Sequence, residues 1–148
     1  MKVHLSLLIM VLGLFSAFQS PLLTQNNKQL RVQVTGLRSA KGSLLIGLYK
    51  DQASFSKKIP YLSKKIEKNK LRNGIVNFNL SLPTGTYGVT LLDDENGNGK
   101  CDYGFFLPKE GFGFSDYYHR GLSSPKFDDF GFKLSKDAQS VVVKVKYM

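Results

Sequence analysis

Residues 76–91 read VNFNLSLPTGTYGVTL. Val76, Phe78 and Leu80 alternate with Asn77, Asn79 and Ser81. A period of two places one apolar face on an extended strand. Leu82-Pro83-Thr84-Gly85-Thr86-Tyr87 follows, and a proline and a glycine so close together mark a turn. Tyr87, Val89 and Leu91 then resume the alternation without a gap.

The same pattern recurs on both sides. Leu30, Val32 and Val34 alternate with Arg31, Gln33 and Thr35, and Gly36–Gly42 (GLRSAKG) reads as a turn. Ser43–Tyr49 (SLLIGLY) is apolar enough for a central strand. Phe130, Phe132 and Leu134 suggest another, and Val141, Val143, Val145 and Tyr147 close the chain with a well-patterned one. Six to seven short strands with few helices predict an all-β fold, an antiparallel two-sheet β-sandwich over residues 29–148. The 148 residues suit one domain, and the sequence shows neither an internal repeat nor a second domain.

Two stretches depart from this pattern. Phe55, Ile59, Leu62 and Ile66 are three or four apart, a helical spacing that Pro60 interrupts. This predicts a short helical insertion near 51–68. Residues 93–126 are rich in glycine and aromatics and predict a long loop. A loop of that length in a compact domain is functional or is ordered by something.

The N-terminus has the layout of an export signal. Lys2 precedes an uncharged, mostly apolar run from Leu5 to Phe18, with the small residues Ser16, Ala17 and Ser20 at and just beyond its end. Pro21 disfavours cleavage after Ser20, whereas cleavage after Gln19 puts Ala17 at the small-residue position. Residues 1–20 are therefore expected to be a signal peptide cleaved near 19–20, and 21–28 a linker. The competing reading is an uncleaved anchor, but the run is shorter than the roughly 18–20 residues that span a bilayer. The expected destination is the periplasm or the exterior. Cys101 is the only cysteine, so no internal disulfide forms and the core, or a metal, must stabilise the fold.

Three segments together resemble one bacterial family, the domain of unknown function 2141. They are Leu82–Tyr87, the Asp94-Glu95-Asn96-Gly97-Asn98-Gly99 loop, and Pro108-Lys109-Glu110-Gly111-Phe112-Gly113-Phe114-Ser115, with Pro125-Lys126-Phe127 following. The likeness covers about residues 29–147. It implies export and, through the turn that transthyretin-like and carboxypeptidase-regulatory-like sandwiches share, a transthyretin-like or immunoglobulin-like sandwich. It implies no reaction. Cys101 stands where the family pattern leads one to expect an aliphatic residue, a position a thiol fills as a small hydrophobe.

Chemistry is sparse. Asp94, Asn96, Asn98 and Asp102, with Gly99 at the turn, fit the first half of a calcium loop. Phe105 occupies the place of the usual closing acid, so Glu110 becomes the candidate to supply that carboxylate. A structural calcium ion and a plain pair of Asn-Gly turns are both open readings. The net charge is +10, and residues 57–72 carry seven basic side chains against Glu67 alone. Lys57, Lys58, Lys64, Lys65 and Lys68 are candidates to bind an anionic envelope glycan, lipopolysaccharide or membrane surface, or form a solvated face. Phe112, Phe114 and Tyr117 are either core plugs or binding residues on a loop. Nucleic acid is disfavoured by export. His119 is the only histidine beyond the signal segment, and Ser115 beside it lacks a nucleophile elbow. The expectation is a non-enzymatic structural or binding domain with a calcium-stabilised loop. A polyanion-binding envelope module and a small hydrolase are the alternatives. Oligomeric state is not legible.

Overall fold

The computed structural model describes residues 26–101 and 108–148. The expected signal peptide, most of the expected linker and Asp102 lie outside the described residues.

The chain forms a β-sandwich. In order, the strands are β1 (Lys28–Thr35), β2 (Ser43–Tyr49), β3 (Leu62–Glu67), β4 (Val76–Leu82), β5 (Gly85–Asp94), β6 (Gly111–Phe114), β7 (Phe132–Leu134) and β8 (Ala138–Lys144). One sheet runs β4-β1-β8, the other β3-β2-β5-β6, with β7 pairing the start of β5 on the edge that β6 uses further along. All pairs are antiparallel except β1 with β8, which is parallel.

Alternation explains the core. Leu30, Val32 and Val34 of β1 lie opposite Leu80, Phe78 and Val76 of β4, and Val32 and Val34 opposite Val141 and Val143 of β8. In the second sheet Leu44, Ile46 and Leu48 face the same interior as Tyr87, Val89 and Leu91. The 82–87 turn carries the chain from the first sheet to the second. Tyr87 is fully buried, and its hydroxyl donates to the Pro83 carbonyl at 3.0 Å, tying the turn to the core. The sheets are stitched along one edge, where Phe112 and Lys146 exchange backbone hydrogen bonds.

The expected all-β sandwich with a short helix in the 51–68 insertion is present, and three details are refined. The helix of the 51–68 insertion is only α1 (Gln52–Ser56), N-capped by the Asp51 carboxylate, and residues 62–67 are a strand. Leu62 and Ile66 are four apart because they share the inner face of an edge strand, a spacing that periods of 2 and 3.6 both allow. The 93–126 stretch is not all loop: β5 runs through Asp94, and residues 111–114 form β6. Glycine hides that strand from pattern reading. Gly111 and Gly113 face inward, where a Cβ would come within 2.5 Å of Tyr147 and 2.6 Å of Val143. The phenylalanines face outward. Phe130 belongs to a helical turn, α2 (Phe127–Phe130), that precedes β7.

Candidate functional site

The outer face of the second sheet carries two different surfaces. Over one end, Tyr49, Phe127 and Phe130 form a second apolar cluster, joined by Phe55, Phe114 and Tyr117. The α1 and α2 segments cover it. Phe114 is its hub, with ring centroids 5.1 Å from Phe130 and 6.0 Å from His119.

The other end is open. Register puts Leu45 of β2 beside Lys65 of β3 and Leu92 of β5, and Leu92 beside Phe112 of β6. Gly47 lies beside Ser63 and Thr90. Leu45, Gly47, Thr90 and Leu92 are half-buried and form the floor of a depression of about 580 Å³, rimmed by Lys58, Lys64 and Lys65. These lysines are exposed, and Lys57 is exposed on the same segment. Among the described residues, Lys65 is offset by a loose 3.7 Å contact with Glu67. The floor residues escaped sequence reading, although an apolar residue at an outward-facing position of a central strand, such as Leu45, is the signal that would have found them.

Lys68 does not join this surface. Two residues after Ile66, it follows the inner-face phase of β3 and enters the interior, where its side chain is fully buried. Its Nζ donates to Asp93 Oδ1 at 2.5 Å, and the Tyr147 hydroxyl donates to Asp93 Oδ2 at 2.5 Å. Asp93 is inward for the same reason, two residues beyond Leu91. The Arg38 guanidinium lies 4.2 Å above the Tyr147 ring and forks onto Glu95, which also accepts from the Ser39 hydroxyl. Burial, reinforced by the Asp93 carboxylate, raises the Tyr147 pKa well above the usual phenol range. Hydrogen bonding from Arg38 holds Glu95 down at about 2.

The acidic loop is internally satisfied. Asp94 Oδ1 accepts from the Gly97 and Asn98 amides, and Oδ2 from the Gly99 amide. Asn96 and Asn98 each accept from the amide two residues on. Gly97 and Gly99 have φ of +74°, the left-handed region glycine tolerates. Asp94, Asn96 and Asn98 are thus brought together, but each already serves the loop. Glu110 is buried. Among the described residues no group of three His, Cys, Asp or Glu side chains is assembled for a metal.

A smaller cleft of about 270 Å³ lies between Phe112, Phe114, His119, Leu122, Pro125 and Met148. The Nδ1 atom of His119 is buried there, without a hydrogen-bond partner among the described residues. Ser115 is not its nucleophile: its hydroxyl is buried, accepts from the Val89 amide at 2.9 Å and donates to the Phe130 carbonyl at 2.7 Å. It anchors β6 and α2.

Residues 32–142 match the family model described as an uncharacterized protein conserved in bacteria (DUF2141). No curated protein and no solved structure matches the chain. The match spans most of the sequence and takes in the turn, the acidic loop and the Gly-Phe strand, and so the chain belongs to this bacterial family of domain of unknown function 2141.

Proposed function

We propose that this is an exported, non-enzymatic binding domain, and that the open outer face of its second sheet takes an anionic partner from the cell envelope. The supporting observation is the depression floored by Leu45, Gly47, Thr90 and Leu92 and rimmed by Lys58, Lys64 and Lys65. A rigid sheet presents the floor, and long cationic side chains supply a rim that attracts negative charge and lets the apolar floor be covered. An acidic polysaccharide fits this chemistry. Ser115, its hydroxyl engaged by two hydrogen bonds, argues only against a serine nucleophile at that position. The test is calorimetric titration of the chain with heparin as an anionic glycan probe, repeated at rising salt. The expected result is binding that weakens steeply with ionic strength and at least tenfold in the double variant Lys58→Glu/Lys65→Glu. Binding indifferent to both would sink the reading.

A second proposal, separable from the first, concerns the 94–99 loop. Gly99 sits sixth from Asp94 with left-handed backbone, as the sharp turn of a calcium loop requires. An ion bound there would share Asp94 with three amide donors. Binding should therefore be weak, on the order of 10⁻⁴–10⁻³ M, and its role structural. Calcium titration into chelator-stripped protein checks this, and no heat at millimolar calcium leaves the loop an amide-capped turn.

A further inference from the structure

The most unusual chemistry in the molecule lies inside it. Lys68 and Asp93 are an amine and a carboxyl held 2.5 Å apart, and neither side chain has any exposed surface. They are 25 residues apart in sequence and meet across β2, whose Leu44 pairs with both Ile66 and Asp93. Neither can rotate away to water. The attraction within a buried ion pair need not repay the desolvation cost of its two charges. Proton transfer within the pair relieves that cost by giving an amine and a carboxylic acid. Those are the two reactants of amide condensation, already in contact.

The third participant is also in place. The Tyr147 hydroxyl donates to Oδ2, the carboxyl oxygen that Lys68 does not contact. A donor fixed on that oxygen stabilises the negative charge that develops there when a nucleophile adds to the carboxyl carbon. The Arg38 amide donates in turn to the Tyr147 oxygen at 3.3 Å and its guanidinium covers the ring, holding the phenol in position. The raised pKa of Tyr147 keeps the phenol protonated and donating.

We infer that Lys68 and Asp93 are a site of self-catalysed isopeptide formation, with Tyr147 as the oxyanion donor. The step balances within the pair. One ammonium proton passes to Oδ1. Nζ then attacks Cγ, and the bond between them forms as the negative charge moves onto Oδ2. A second proton passes from Nζ to Oδ1, the Cγ–Oδ1 bond breaks, and one water leaves. The amide retains Oδ2 as its carbonyl oxygen, still bonded to Tyr147. No oxidant, metal or second substrate is required. The product would cross-link the end of β5 to the turn after β3, a covalent tie in a chain whose one cysteine forbids an internal disulfide.

Mass spectrometry of the purified chain, fully denatured and digested, decides the matter. The expected result is a pair of peptides joined through Lys68 and Asp93, with a combined mass lower by one water, and an intact mass lower by the same amount. Asp93→Ala should restore the full sequence mass. Tyr147→Phe keeps the reacting pair and removes the donor, so it should leave a mixture in which the unlinked form accumulates. Wild-type chain with its full sequence mass, or with water lost at any site other than this pair, overturns the inference. The wild-type measurement stands even where a variant fails to fold.

Discussion

Asp93 and Asp94 are neighbours on one strand and solve the problem of a buried carboxylate in opposite ways. Asp93 follows the inner phase of β5 and is met by side chains from distant segments, Lys68 and Tyr147. Asp94 follows the outer phase and is met by three backbone amides from the next five residues. The first solution depends on tertiary structure, so it must be assembled by folding and fails as a unit. The second is local and needs only the glycines that let the chain curl. One residue's shift in phase separates an element of the core from an element of a turn.

The largest expected effect comes from breaking the inner solution on one side. Asp93→Ala takes from the buried Lys68 amine its one carboxyl partner, whether that partner is held by charge or by the cross-link, and should cost about 3–5 kcal/mol of unfolding free energy, measured by urea denaturation. Replacing the pair together, Lys68→Met with Asp93→Leu, leaves no unpaired amine in the core and should recover the part of that loss that the unpaired group causes, though not what a cross-link contributes. A double variant as unstable as the single one would break the contrast drawn here.

The outer solution should yield less. Asp94→Ala strips the acceptor from three amides that water can partly reach, and about 1–3 kcal/mol is expected. Thermal melting should show the loss, while hydrogen exchange should place the loosening at residues 95–99 rather than in the core. Protection lost throughout the sandwich would show that this loop is not a local unit.

Most of the sandwich was legible because its inner faces alternate: Leu30-Val32-Val34, Leu44-Ile46-Leu48, Tyr87-Val89-Leu91 and Val141-Val143 all face the core. The illegible parts have specific causes. In β6 the inward positions are Gly111 and Gly113, because the backbone and side chains of residues 143–147 approach too closely for a Cβ, so aromatics mark the outer face. In β3 the apolar pair Leu62 and Ile66 brackets lysines, and an edge strand with one half-buried face leaves too few apolar residues to distinguish periods. Of the basic cluster, Lys57, Lys58, Lys64 and Lys65 are on the surface as expected. Lys68 is not, since a lysine in a basic run carries no mark that its partner is an aspartate 25 residues on. The alternation did contain one clue: Asp93 continues the phase of Val89 and Leu91, and an acid in a core phase requires a partner.

The smallest effect concerns pH. Arg38 holds Glu95 at about 2, below its ordinary value of 4.5. A depressed acid contributes stability above the unfolded value and loses it as pH falls through the folded one. This pair's contribution should therefore fade between about pH 4.5 and 2. Half of the Arg38 side chain is exposed, so solvent screening limits it to about 1 kcal/mol. Urea denaturation across that range should show a shallower decline for Arg38→Ala than for the native chain. Equal slopes would remove Glu95 from the acid response.

The measurement that tests the central claim most directly is amide chemical-shift mapping as the acidic polysaccharide is added. Binding to the open face should move Leu45, Gly47, Lys65 and Thr90 first, with β4, β1 and β8 silent. Shifts concentrated on the β4-β1-β8 sheet, or none at saturating probe, would contradict the assignment of the second sheet's outer face as the binding surface.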